Sequence, residues 1–139
     1  MKSVLVMVTM LAFIAQTAFA AVVTGGASDL PLSEVIAGKW AEKTEFFALS
    51  LSGVTEYFAD GTARMDATGS VPGKEFKMVV KGFWKIVGRR LTVTATQSNH
   101  PRLFPPGTET NDEIIFISPI QMTLLDEDGE RQVCKRVKQ

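Results

Sequence analysis

From Gly38 onward the chain alternates apolar and polar residues with a period of two, and Gly, Pro, Asn and Asp interrupt that alternation at short intervals. A period of two sends successive side chains to opposite faces of a strand, so the pattern predicts short antiparallel strands joined by turns and leaves no helix of ordinary length. Strands are expected near Gly38 to Thr44, Ala48 to Phe58, Thr62 to Val71, Lys74 to Val87, Arg90 to Gln97, Asp112 to Ser118, Ile120 to Leu125 and Glu130 to Val137. Eight is the number at which an up-and-down sheet closes into a barrel wide enough for side chains or one small ligand. The expected fold class is therefore all-β, an antiparallel meander of about eight strands closed into a small barrel.

The turns set which residues face each other. Around Ala59-Asp60-Gly61 a three-residue loop with Gly61 in the left-handed conformation pairs Glu56 with Arg64 and puts both outside. A two-residue turn would instead place Glu56 opposite Met65 on the apolar face, where an unpaired carboxylate costs several kcal/mol. Pro72-Gly73 sets Ala67 against Met78 and Gly69 against Phe76, and Gly88-Arg89 sets Ile86 against Leu91 and Trp84 against Val93. One face then runs through Tyr57, Met65, Ala67, Phe76, Met78 and Val80, and on through Trp84, Ile86, Leu91 and Val93. Arg64, Lys77, Lys81, Lys85, Thr92 and Thr94 fall on the other. Gly82 opposite Ala95 leaves a small pair where the sheet can bend. Asp128-Gly129 permits two registers, one turning Val133 inward and the other Cys134.

Ahead of the strands, Met1-Lys2-Ser3 is a short basic start, Val4 to Ala15 is almost wholly apolar, and Ala18-Phe19-Ala20 is a small-x-small site. This reads as an export signal over residues 1–20, since the apolar run is shorter than the roughly 20 residues that span a bilayer. Cleavage leaves 119 of the 139 residues, a one-domain length with no membrane span, destined for the periplasm or the extracellular medium. Residues 21–37 read as a flexible lead-in with one helical turn at Leu32 to Ala37, and 38–139 as the barrel domain. Basic and acidic side chains number 15 each, so loss of Lys2 leaves a net charge of −1, which is no polycation for nucleic acid. One His and one Cys exclude most His- or Cys-based metal sites. Cys134, alone in an oxidising compartment, is either a buried small hydrophobe or a dimerisation site, and burial is preferred.

Gly38-Lys39-Trp40, Phe58-Ala59-Asp60-Gly61-Thr62 and Gly82-Phe83-Trp84-Lys85-Ile86-Val87-Gly88 give the chain, over Gly38 to Val137, a resemblance to small secreted bacterial lipocalin-like barrels of the calycin type. In that family the Trp of the first strand plugs the closed end and is crossed by a basic residue of the last strand. The resemblance therefore implies a structural role for Trp40, with Arg136 or Arg131 stacked on it.

Connections of a meander alternate between the two ends of a barrel. The long Ser98 to Thr110 loop thus shares an end with the first connection, with Pro72-Gly73 and with Asp126 to Gly129, and that end is expected to be the mouth. His100, Arg102, Leu103 and Phe104 sit there among Pro101, Pro105 and Pro106, as a lid or partner-contacting loop or as a solvated crossover. Glu109, Asp112, Glu113, Asp126, Glu127, Asp128 and Glu130 fall at the same end, and such a run is more often a solvated edge than a docking rim. Tyr57, Met65, Phe76, Met78 and Trp84 either line an apolar pocket, with His100, Arg102 and Phe104 at its entrance, or fill the interior themselves.

No catalytic constellation is visible: His100 has no Gly-x-Ser-x-Gly elbow beside it, and Asp126 to Gly129 lacks the ligand alternation of a calcium loop. No cofactor is implied. The expected function is binding of a small hydrophobic or amphiphilic ligand; the alternative is a protein-interaction or inhibitor module with a filled barrel, acting through the 98–110 loop.

Overall fold

A computed structural model describes residues 30–46 and 48–138. The expected export signal and most of the lead-in lie outside the described residues. Helix α1 (Leu32–Ile36) is followed by eight strands: β1 (Gly38–Phe46), β2 (Leu49–Tyr57), β3 (Thr62–Val71), β4 (Lys74–Val87), β5 (Arg90–Ser98), β6 (Glu109–Ile117), β7 (Gln121–Leu125) and β8 (Arg131–Arg136). They form a closed antiparallel barrel in chain order, β8 returning to pair with β1 through Trp40 opposite Arg136 and Ala41 opposite Lys135. Among the described residues each strand is paired on both sides, the β1–β8 seam through those two residue pairs.

The tight turns produce the registers that their sequences demand. Glu56 faces Arg64 and Tyr57 faces Ala63, with Phe58 N–H donating to Thr62 O at 2.9 Å and Gly61 at φ +89°. That is the three-residue loop, and Asp60 reinforces it by accepting from Thr62 N–H at 2.9 Å and Thr62 Oγ1–H at 2.7 Å. Ala67 opposes Met78, Gly69 opposes Phe76, Trp84 opposes Val93 and Ile86 opposes Leu91. Where Gly82 meets Ala95 the β4–β5 register shifts by a bulge at Lys81/Gly82. A Cβ on Gly82 would overlap the Thr94 carbonyl, so only glycine admits this bend.

The last hairpin takes the register that buries Cys134. Cys134 faces Met122 at 1% exposure, whereas Val133 is 47% exposed. Asp126 N–H donates to Glu130 O at 2.9 Å, and the Asp126 carboxylate accepts from the Asp128 and Glu130 N–H groups at 2.9 and 2.8 Å.

Three details differ from expectation. Strand β6 begins at Glu109 rather than Asp112, which shortens the long connection. Arg64, outward as expected, forms its ion pair with Asp66 at 2.7 Å and not with Glu56, which lies 4.0 Å from Lys39. The two-residue spacing within β3 puts Asp66 on the same face as Arg64, and both guanidinium contacts fit it (2.7 and 2.9 Å). Thr92 sits on the outer face yet is buried, its hydroxyl satisfied by donation to Asn111 Oδ1 at 2.8 Å across the β5–β6 pair.

One end of the barrel is solid. Ile36, Trp40, Tyr57, Trp84, Leu91 and Ile114 belong to its packed core, with Leu32 and Val35 of α1 laid against it. Trp40 is buried and donates its indole N–H to Ile36 O at 2.7 Å. Arg136 lies over the Trp40 ring, Cζ 4.1 Å from its centroid, and its N–H groups reach Ala37 O (2.8 Å), Pro119 O (3.1 Å) and Val35 O. One guanidinium thereby ties α1, the β6–β7 connection and the first strand together. Arg131, at the other end of β8, is exposed. Gly38 has φ +123°, and a Cβ there would come within 2.6 Å of Arg136 Nη1. Glycine two residues before Trp40 is what lets the guanidinium close over the indole.

Candidate functional site

Between that solid end and the loop-bearing end the barrel encloses a cavity of about 320 Å³. Its walls follow from strand alternation. Trp40 points inward, so Glu42 and Thr44 do too. Asp112 opposes inward-facing Leu91, and Gln132 opposes inward-facing Leu124. The lining divides by strand. Strands β2 to β5 supply Leu51, Met65, Ala67, Met78, Val80 and Ala95, with Thr55 and the exposed cations Arg64 and Lys81 at that wall, while β6, β8 and β1 supply Asp112, Gln132, Glu42 and Thr44, the β7–β8 turn Asp126, and β7 apolar Leu124. In a closed barrel these are two contiguous arcs, one mainly apolar and one mainly polar and acidic.

Glu42 is the best-connected member of the polar arc. Its carboxylate accepts from Thr55 Oγ1–H at 3.0 Å and Gln132 Nε2–H at 3.3 Å, with the Cys134 thiol 4.0 Å away. Gln132 also donates to Thr44 Oγ1 at 3.0 Å. Burial raises the Glu42 pKa, and the Thr55 hydrogen bond only partly opposes the rise. Asp112 is pushed up to about 6, first by desolvation and then by the negative charges of Asp126, Glu42 and Glu127. The Cys134 thiol is held at about 12 by burial, Glu42 and Asp112, which makes it an inert packing group rather than a nucleophile.

Tyr57 stands where the cavity meets the solid end. It is 6% exposed and packs edge-on to Trp84, ring centroids 5.5 Å apart. Its hydroxyl has no hydrogen-bond partner among the described residues, whereas every fully enclosed side-chain N or O among them has one. The hydroxyl therefore opens onto the cavity that Tyr57 lines. Burial, Glu42, Cys134 and Asp112 all keep it protonated.

Of the side chains expected to meet a ligand, the structure brings Tyr57, Met65, Met78 and Phe104 to the cavity wall. Trp84 belongs instead to the solid end, its indole N–H donating to Phe58 O at 2.8 Å. Phe76 lies over Gly69, where a Cβ would overlap its ring, and against the His100 ring with centroids 4.9 Å apart. His100 Nε2–H donates to Lys77 O at 2.8 Å, so the imidazole pins the loop to β4. Asn99 does the same, accepting from Val79 N–H at 2.8 Å and donating to Lys77 O at 3.2 Å. Phe104 N–H donates to His100 O at 2.9 Å, which delivers the Phe104 ring to the cavity, while Arg102 is exposed.

The acidic run is not one surface. Asp112 and Asp126 turn into the barrel, and Glu127, Asp128 and Glu130 stay exposed. Glu42, Thr55 and Gln132 were not among the expected site residues, although the period-two rule applied from Trp40 already places Glu42 inside, and Asp112 was expected only within the acidic run at the mouth. Comparison with protein-family models and with curated proteins finds no match to this chain.

Proposed function

We propose that this chain is an exported lipocalin-like module that holds a small hydrophobic or amphiphilic ligand inside its barrel. The observation that carries this reading is the cavity. Its volume of about 320 Å³ is at the small end of the roughly 300–1,000 Å³ range of ligand pockets. Its apolar arc carries Met65 and Met78, unbranched side chains that adapt to ligand shape. The Gly38-Lys39-Trp40 arrangement under Arg136 supports the lipocalin-like assignment, and the basic-apolar-small N-terminus supports export. The cavity favours this reading over a filled barrel acting through the 98–110 loop.

Native mass spectrometry of the protein purified from the compartment into which it is exported tests the proposal. The expected result is a small-molecule adduct that is lost on unfolding, or uptake of the neutral apolar probe N-phenyl-1-naphthylamine by the bare protein. A bare mass together with no uptake of the probe contradicts it.

A further inference from the structure

The division of the cavity into two arcs says more about the occupant than its volume does. A purely apolar ligand would leave Glu42 and Asp112 desolvated against hydrocarbon, and an anionic one would add like charge to them. Among the described residues no ion pair engages Glu42 or Asp112: Lys39 pairs with Glu56, Lys43 with Glu45, Arg64 with Asp66 and Arg89 with Glu113, and the two cations that border the cavity, Arg64 and Lys81, are exposed on the β3–β4 side, where both act on Asp66. The charges acting on Asp112 are those of Asp126, Glu42 and Glu127, all negative. The Tyr57 hydroxyl, buried and without a partner among the described residues, is an additional oxygen facing the same space. A carboxylate pair and a free hydroxyl oxygen are the acceptors that an ammonium, a group of three donors and no acceptor, requires.

We propose, building on the ligand-binding reading above, that the cavity selects a cationic amphiphile, an alkylammonium with its nitrogen between Glu42 and Asp112 and its tail along Met65, Met78 and Val80. The ammonium supplies the positive charge that the polar arc lacks, and the tail fills the apolar arc. A bare metal ion suits the site less well. No group of three or more His, Cys, Asp or Glu side chains among the described residues is arranged to hold one, and the apolar wall offers an ion nothing.

Calorimetric titration of the purified protein near neutral pH with octylamine, octanol and octanoate varies the head while the tail stays constant. Octylamine is expected to bind about tenfold or more tighter than octanol, and octanoate most weakly. Asp112→Asn is expected to bring octylamine to within about threefold of octanol, with an unchanged far-ultraviolet circular dichroism spectrum reporting that the variant is folded. Equal or tighter binding of octanol or octanoate by the wild type overturns the cationic preference and leaves the ligand-binding reading standing. An undiminished octylamine preference in the folded variant overturns the role given to Asp112. Failure of all three to bind overturns the ligand-binding reading and this inference with it.

Discussion

Asp112 is a surface residue by composition and an interior one by register. Its carboxyl is raised from 3.8 to about 6, so the folded state holds the proton more tightly than the unfolded chain. Such a group stabilises the fold fully below the unfolded pKa, near 4, and that contribution is lost as pH rises through about 6. The cavity mouth admits water, so the shift is discounted to about 1–2 kcal/mol. Glu42 acts in the same direction, and the groups facing Asp112 are Asp126, Glu42 and Glu127. Asp112→Asn is therefore expected to be more stable than wild type at about pH 8 by that amount and to lose the advantage near pH 4. Urea midpoints of both proteins across this range check it, and an equal difference at every pH contradicts it. The alternation that turns Trp40 inward carries Glu42 with it, so that half of the acidic pair was legible in the sequence. Asp112 was not, because the ten or so residues between β5 and β6 impose no register.

The elements divide along the same line. Turns of two or three residues have few conformations, so Gly61, Gly73 and Gly88 specify three hairpins and one continuous inner face from the sequence alone. The last hairpin was ambiguous because Asp128-Gly129 suits a two-residue or a three-residue loop, and the choice rests on Asp126 accepting from both Asp128 and Glu130 N–H groups. The bulge at Lys81/Gly82 falls where the small pair Gly82 and Ala95 marks a bend in the sequence, whereas the one between Ile114 and Phe116 is a product of closure, a constraint that no single hairpin contains. Gly82 and Gly88 separate two uses of glycine. Nothing lies within 4 Å of a Cβ on Gly88, whose φ is +62°, so Gly88→Ala is expected to cost about 1 kcal/mol of conformational strain. Gly82→Ala meets the Thr94 backbone and is expected to cost about 2 kcal/mol or more. Chemical denaturation distinguishes them, and equal costs would contradict a steric role for Gly82 in the bend.

At the scale of the whole molecule, the barrel is solid at the Trp40 end and hollow toward the loops. The solid end collects the large side chains: Trp40, Trp84, Leu91, Ile114 and Met122, capped by Ile36 of α1. Toward the loops the inward positions become small or polar, with Gly53, Ala67 and Ala95 lining the same space as Glu42, Asp112 and Gln132. Arg136 and the pinned loop through Asn99 and His100 fix the two ends, so the cavity is a property of the folded barrel rather than of a moving part. Methyl-resolved NMR during titration with octylamine tests this most directly. Binding within the barrel predicts chemical-shift changes and ligand contacts at the Met65 and Met78 methyl groups, with Met122 in the solid end unaffected. Changes confined to exposed Leu103 on the loop or Ile120 on the outer surface would contradict an interior site.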